Sequence, residues 1–192
     1  MKFAKNLFRL GTESAFSVLA EAKKIEATGK KIINLGIGQP DFKTPQHIVE
    51  AAKKALDDGH HGYVVPNGIS ECREAVCRKI KTLYGKDISS ERIIIMPGGK
   101  PTMYFAISMF GEPGAEIIFP TPGFPIYESM INYTGAKAVF ADVDSLTGNI
   151  LVSEIENKIT DRTRGVIVVH MAGYPCKMDK IMNIAKKHSL FV

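Results

Sequence analysis

The sequence predicts a three-layer α/β fold built on a mainly parallel sheet, and three observations carry that expectation. Short runs of β-branched and aromatic residues recur at Ile32–Leu35, Ile93–Met96, Glu116–Phe119, Ala136–Phe140, Gly165–Val169 and Leu190–Val192, as suits strands buried on both faces. Between them apolar residues return at spacings of three and four, as in Ile48, Ala51, Ala52 and Leu56, in Val76, Ile80 and Leu83, and in Ile181, Ile184 and Ala185, the pattern of amphipathic helices. The two signals alternate along the chain, which implies crossover connections and therefore parallel strands.

Taken in order, residues 1–11 read as an arm that packs elsewhere, and residues 12–29 as an amphipathic helix stopped by Gly29. Thr44-Pro45 predicts an N-cap with proline in the first helical position, and Ser70 ahead of Glu71 marks the next helix, which Gly85 ends. A last helix spans Met178 to His188, and Ser189-Leu190-Phe191-Val192 reads as the opening of a buried strand. A terminal carboxylate inside a sheet is costly, so the sequence looks cut at that point.

Composition limits the function classes. Of the 192 residues, 45% are hydrophobic and 23% charged, enough apolar mass for a core. Apolar runs such as Val166–Val169 close on polar residues like His170, far short of the roughly 18 residues of a membrane span. The first ten residues scatter Lys2, Lys5 and Arg9 among apolar side chains, unlike a secretory leader, so a cytoplasmic address is expected. The net charge of +5 comes from separated pairs such as Lys23-Lys24, Lys30-Lys31 and Lys186-Lys187, without interleaved aromatics. A small phosphorylated ligand fits that better than nucleic acid. Cys72, Cys77 and Cys176 lack the paired spacing of a zinc or redox site; they are read as reduced thiols, and no metal is expected.

Three segments carry candidate chemistry. In Ile93-Ile-Ile-Met-Pro-Gly-Gly-Lys-Pro-Thr102 a predicted strand turns through Gly98 and Gly99 into a helix. Glycine lets backbone approach a ligand, and unpaired amides at a helix start attract anions, so Gly99 and Lys100 form either a phosphate cradle or an ordinary glycine turn. The nucleoside-triphosphate loop pattern fails at Ile94 and Pro101. Phe119-Pro-Thr-Pro-Gly-Phe-Pro-Ile-Tyr127 follows a strand and so lies at the carboxyl edge of the sheet, where open α/β folds bind ligands; Phe124 either offers a face to a planar ring or packs into the core. Asn34-Leu-Gly-Ile-Gly-Gln-Pro-Asp-Phe42 lacks the third glycine of a dinucleotide fingerprint but leaves the Gly38 amide accessible.

Gly36-Ile-Gly-Gln-Pro-Asp-Phe-Lys-Thr-Pro45, Gly62-Tyr-Val-Val-Pro-Asn-Gly-Ile-Ser-Glu-Cys-Arg-Glu-Ala75, Pro97-Gly-Gly-Lys100 and Pro120-Thr-Pro-Gly-Phe-Pro-Ile-Tyr127, in this order, resemble the signatures of class I, aspartate-aminotransferase-like, pyridoxal-phosphate-dependent aminotransferases, over residues ~30–136. Residues from ~140 to 192, including Asp142-Val-Asp-Ser-Leu-Thr-Gly-Asn-Ile150 and His170 to Asp179, look more like the sugar-nucleotide aminotransferases of the same fold. The segment Val169-His-Met-Ala-Gly-Tyr-Pro-Cys176 puts Tyr174 where class I enzymes carry an asparagine.

The resemblance implies part of the large domain of the type I transferase fold over residues 46–192, with residues 1–45 contributing an arm and helix to a small domain. It implies pyridoxal 5'-phosphate as cofactor, with Gly99 and Lys100 at its phosphate, Phe124 stacked on its ring and Tyr63 reaching the phosphate of a neighbouring subunit in a homodimer. Gly38 is implied to meet the substrate carboxylate, the substrates being an aspartate-like amino acid and a 2-oxo acid. The Schiff-base lysine and the acid that pairs with the ring nitrogen have no counterpart here, and Lys100 lies at the wrong end of the cofactor to replace the lysine, so no catalytic residue is assigned. The chain alone is expected to be inactive. The alternatives are a sugar-nucleotide aminotransferase, a non-catalytic phosphate-binding module and a nucleotide-binding α/β domain.

Overall fold

In the computed structural model, residues 2–11, 14–36 and 38–192 are described. Their contacts divide the chain into two units, Met1–Ser14 together with Gly99–Val192, and Ala15–Gly98.

The first unit is organised around β1 (Glu116–Thr121), flanked by β2 (Lys137–Asp142) and β3 (Thr163–Val166), all parallel, in the order β2-β1-β3. In β1, five consecutive residues are buried, which is why the strand reads as a continuous apolar run. Its side chains point alternately to two faces. Ile117 and Phe119 meet Ile107 of α4 (Gly99–Phe110) and Ile131 of α5 (Pro125–Thr134). On the opposite face Ile118 meets Ile155 of α6 (Val152–Lys158) and Ile181 and Ile184 of α7 (Met178–Lys187). Helices on both faces of a parallel sheet are the three layers that the alternation predicted. Each such aliphatic side chain contributes about 1.5–3 kcal/mol by leaving water.

Beyond β3, Phe191 adds a single parallel bridge to Gly165, its N–H bonding the Arg164 carbonyl and its carbonyl accepting from Val166. Its ring stacks on Phe110 at 3.7 Å between centroids and lies directly over Gly165, where a Cβ would run into it. Glycine is the residue that permits this approach.

The amino end of β1 is held by charge. Glu116 is 2% exposed, and its carboxylate accepts from Thr160 Oγ1 at 2.7 Å, from Arg162 Nη2 at 2.7 Å and Nε at 3.3 Å, and from Lys137 Nζ at 3.4 Å. The Thr160 hydroxyl and the Arg162 guanidinium, working against burial, hold its carboxyl down to about 2. Lys137 opens β2 and Arg162 precedes β3, so one buried carboxylate ties together the starts of all three strands.

The N-terminal arm packs on α5. A 3₁₀ turn at Lys5–Arg9 presents the Arg9 guanidinium to the carbonyls of Asn132 and Tyr133, at 2.8 and 3.0 Å. These lie in the last turn of α5, where carbonyls lack helical partners and the helix dipole is negative. The Gly11 N–H donates to Ser129 Oγ.

The second unit holds α1 (Ser14–Glu26) from its second residue onward, α2 (Gln46–Asp57) and α3 (Ser70–Tyr84). The left-handed Gly29 (φ +88°) and Gly85 (φ +65°) close α1 and α3 as expected. Arg73 is buried, its Nε donating to the Gly68 carbonyl and its Nη1 to that of Ser90.

Several local expectations need correction. Thr44 does not cap α2: Pro45 takes the cap position and the helix opens at Gln46 without a side-chain cap. The helix start marked by Ser70 and Glu71 lies where expected: Ser70 is the first residue of α3 and gives its hydroxyl to Glu71 in the first turn, after Ile69 at the cap position. The helix expected from residue 12 is seen from Ser14, Thr12 and Glu13 lying outside the described residues, as do Met1 of the arm and Ile37 of the glycine motif. Ile32–Leu35 and Ile93–Met96 join no ladder among the described residues; the Ile95 N–H goes instead to the Asn67 carbonyl. A run of apolar residues sets strand propensity, but a strand also needs a neighbour.

Because the Glu116 carboxyl is held far below its ordinary value, its contribution to stability is fully present above about pH 4.5 and is lost as pH falls toward 2. E116Q is expected to lower the free energy of unfolding at neutral pH by on the order of 3 kcal/mol and to flatten the loss of stability between pH 4.5 and 2. Urea unfolding of both proteins across that range measures it.

Candidate functional site at the carboxyl edge of the sheet

Short reversals decide which elements share an edge. α4 is connected to β1 only by Gly111–Ala115, and it packs on the strand through Ile107. A 12-residue helix is about 18 Å long, close to the length of a six-residue strand, so α4 begins near the edge at which β1 ends. α5 follows β1 after Pro122–Phe124 and returns antiparallel, packing on α4 through Tyr104 and Tyr133, whose rings are 5.9 Å apart. The N-termini of α4 and α5 therefore face the same edge. Gly99 and Lys100 form the first turn of α4, and Phe124 is the N-cap residue of α5. All three are exposed.

The glycines shape this edge. Gly98 is left-handed at φ +101°, a turn glycine makes without strain, and the space around Gly99 would admit a Cβ. Gly123 answers a different need, since a Cβ there would run into the Pro120 carbonyl oxygen. The Thr121–Pro122 peptide is cis. The loop presents Phe124 beside Tyr127, ring centroids 6.0 Å apart and nearly perpendicular. The two rings, with Pro120, Pro122, Val169 and Met171, line a cavity of about 290 Å3. Phe124 is 37% exposed and thus not a core residue.

The second wall of that cavity comes from the turn after β3, the segment that carries His170 and Tyr174. Tyr174 is exposed. His170 Nδ1 accepts the Cys176 N–H at 3.2 Å. Its side chain lines a different cavity, of about 350 Å3 along the open side of β3 with Phe110, Val168 and Phe191. Cys176 is buried, its thiol 3.1 Å from the Val169 carbonyl and pushed up by burial. Ala172 is left-handed at φ +51° and Gly173 at +83°; for alanine this costs ~1 kcal/mol or more.

What holds that turn leaves no local mark in the sequence. Asn149, 6% exposed, donates from its amide nitrogen to the Tyr174 carbonyl and accepts the Met171 N–H, both at 3.1 Å. Asn149 is itself fixed by a turn in which Asp144 Oδ1 accepts from the Leu146 and Thr147 N–H groups and the Thr147 hydroxyl. Those bonds hold the Asp144 carboxyl below its ordinary value. Asp144-Ser-Leu-Thr-Gly-Asn149 is a turn signature that the sequence does display, but nothing in it indicates the segment it clamps.

Gly38 and Tyr63 belong to the unit Ala15–Gly98. A Cβ at Gly38 would meet nothing within 4 Å, and the Tyr63 side chain is fully exposed.

Comparisons with known proteins agree with this architecture. The model of the DegT/DnrJ/EryC1/StrS aminotransferase family matches residues 98–192. The chain is 33% identical, over 99% of its length, to an aspartate aminotransferase of Sulfolobus acidocaldarius, of which it covers 50%. It is 35% identical, over 86% of its length, to a (5-formylfuran-3-yl)methyl phosphate transaminase of Methanocaldococcus jannaschii, covering 43% of it. Among solved structures, an alanine aminotransferase from Pyrococcus furiosus superposes with a TM-score of 0.87 at 28% identity, over 98% of this chain and 50% of that one. An aspartate aminotransferase from Thermus thermophilus gives 0.87 at 26%, over 99% and 52%. The chain spans about half the length of the curated relatives it matches, and its mainly parallel α/β fold is the type I fold of these aminotransferases.

Because Gly123 is required by its approach to Pro120, Gly123→Ala is expected to cost about 1–3 kcal/mol through forced displacement of the loop. The shift in the urea midpoint at constant slope reads that loss.

Proposed function

We propose that this chain is the N-terminal part of a pyridoxal-phosphate-dependent aminotransferase, one that moves an amino group between an aspartate-like amino acid and a 2-oxo acid. The observation that carries the proposal is the meeting of two helix N-termini and the exposed Phe124 ring at one edge of a fold shared with aminotransferases. The residues suit the group: the α4 start offers backbone amides and open space at Gly99 for an anion, and the cavity beside Phe124 is apolar and aromatic, as a planar ring requires.

In this reading the amides of Gly99 and Lys100 hold the phosphate, the Lys100 charge adds to their field, and Phe124 covers the ring. Gly38 offers its amide to the substrate carboxylate, and Tyr63 reaches the phosphate of a second subunit, so that the active unit is a cytoplasmic homodimer. Residues 46–192 contribute to the large domain and 1–45 to the small one. When bound, pyridoxal phosphate supplies an electron-accepting ring and an aldehyde that takes up the amino group; this chain's residues bind and orient it and keep water from its face. Lys100, at the phosphate end, moves no proton. Among the described residues no helix is long and apolar enough to cross a membrane.

A sugar-nucleotide amino donor or acceptor is the second reading. Its support is the match of residues 98–192 to the DegT/DnrJ/EryC1/StrS aminotransferase family, a span that contains both the Asp144–Asn149 turn and the segment it clamps.

Pyridoxamine 5'-phosphate cannot condense with surface lysines and is the probe of choice. Phe124→Ala is expected to weaken its binding to the 192-residue chain by about three- to tenfold, the worth of one stacked ring. Fluorescence titration measures this, and preferential binding of ATP would contradict the proposal.

A further inference from the structure

We infer that Asn149 is a positioning residue that holds Met171 as the second wall of the Phe124 cavity, against the ring bound there. The inference rests on the proposal that this cavity takes the cofactor ring.

Met171 and Phe124 line the same cavity from two different loops, one after β3 and one after β1. The Met171 backbone is fixed by its N–H to Asn149 Oδ1, and the other end of the turn by Asn149 Nδ2 to the Tyr174 carbonyl. One buried side chain therefore bridges both ends of a turn whose centre, Ala172 and Gly173, is left-handed. The Met171 side chain is set by the same clamp. Gly148 is left-handed at φ +68°, and a Cβ on it would fall 2.9 Å from Met171 Cγ, so the 144–149 turn supports the thioether from behind.

The chemistry of the wall follows from the residue. A thioether is polarisable and makes favourable contacts with aromatic rings, and Met171 is 41% exposed, with surface left for a ligand to cover. An alanine at 149 removes the donor and acceptor together, releasing Met171 while leaving Phe124 and the α4 N-terminus in place.

Binding of pyridoxamine 5'-phosphate to the 192-residue chain tests this, followed by fluorescence and by the methyl resonance of 13C-methyl-labelled Met171, identified by its loss in M171A. Asn149→Ala is expected to weaken binding about fivefold and to abolish the shift of that resonance on adding the probe. In an M171A background the same substitution should change affinity by less than a factor of about two, because its effect passes through Met171. Gly148→Ala keeps the Asn149 side chain but puts a methyl against Met171 Cγ and, at φ +68°, strains the turn behind it; it should weaken binding similarly and remains informative if Asn149→Ala does not fold. Binding that is sensitive to F124A but unchanged by N149A and G148A overturns the inference alone, as does full additivity of N149A and M171A. A chain that does not bind the probe at all overturns the cofactor proposal and this inference with it.

Discussion

The arrangement of the unit Met1–Ser14 with Gly99–Val192 depends on β1 being buried on both faces. A strand with apolar side chains on each side must be covered twice, and the two coverings are the α4–α5 layer over Ile117 and Phe119 and the α6–α7 layer over Ile118. Burial on both sides fixes register, because a slip of one residue would send every side chain to the wrong layer. Glu116 supplies the complementary constraint at the amino end: a carboxylate that is nearly inaccessible, satisfied by groups attached to β2 and to the approach to β3. A buried charge with its partners removed is expensive, so the three strand starts are joined at one point.

That constraint at one edge leaves the other edge available for chemistry. The carboxyl ends of the strands are where loops leave the sheet, and here β1 and β3 deliver the Phe124 loop and the Met171 turn while the start of α4 faces the same edge. The loops at this edge are made rigid by different devices. Close approach to the Pro120 carbonyl defines the Gly123 turn, and a buried amide side chain defines the Met171 turn. In the proposed function, the helix start and the Phe124 loop answer the cofactor's two chemistries, charge for the phosphate and a flat apolar face for the ring.

Much of this was legible in the sequence, unevenly. The runs at Glu116–Phe119, Ala136–Phe140 and Gly165–Val169 are strands or continue them, and the helix ends at Gly29 and Gly85 lie where expected. These signals are local: burial on two faces and a left-handed glycine each leave a mark in a few residues. Ile32–Leu35 and Ile93–Met96 carry the same composition without forming a ladder among the described residues, because pairing depends on a neighbour that composition does not record. The cap expected at Thr44 falls one residue later, at Pro45, a scale at which proline geometry outweighs preference, whereas the helix start marked by Ser70 and Glu71 lies where expected. In the sequence Phe124 reads as either a stacking face or a core residue, and its exposure rules out the core. Asn149 escaped notice because its partners are 22 and 25 positions away, a separation that no local pattern encodes.

The central claim is that one small ligand spans the start of α4 and the Phe124 ring. A crystal structure of the chain with pyridoxamine 5'-phosphate tests it most directly. The account predicts phosphate oxygens within hydrogen-bond distance of the Gly99 and Lys100 amides and the pyridine ring face to face with Phe124. A ligand whose phosphate lies away from the α4 N-terminus, or whose ring lies away from Phe124, would contradict it.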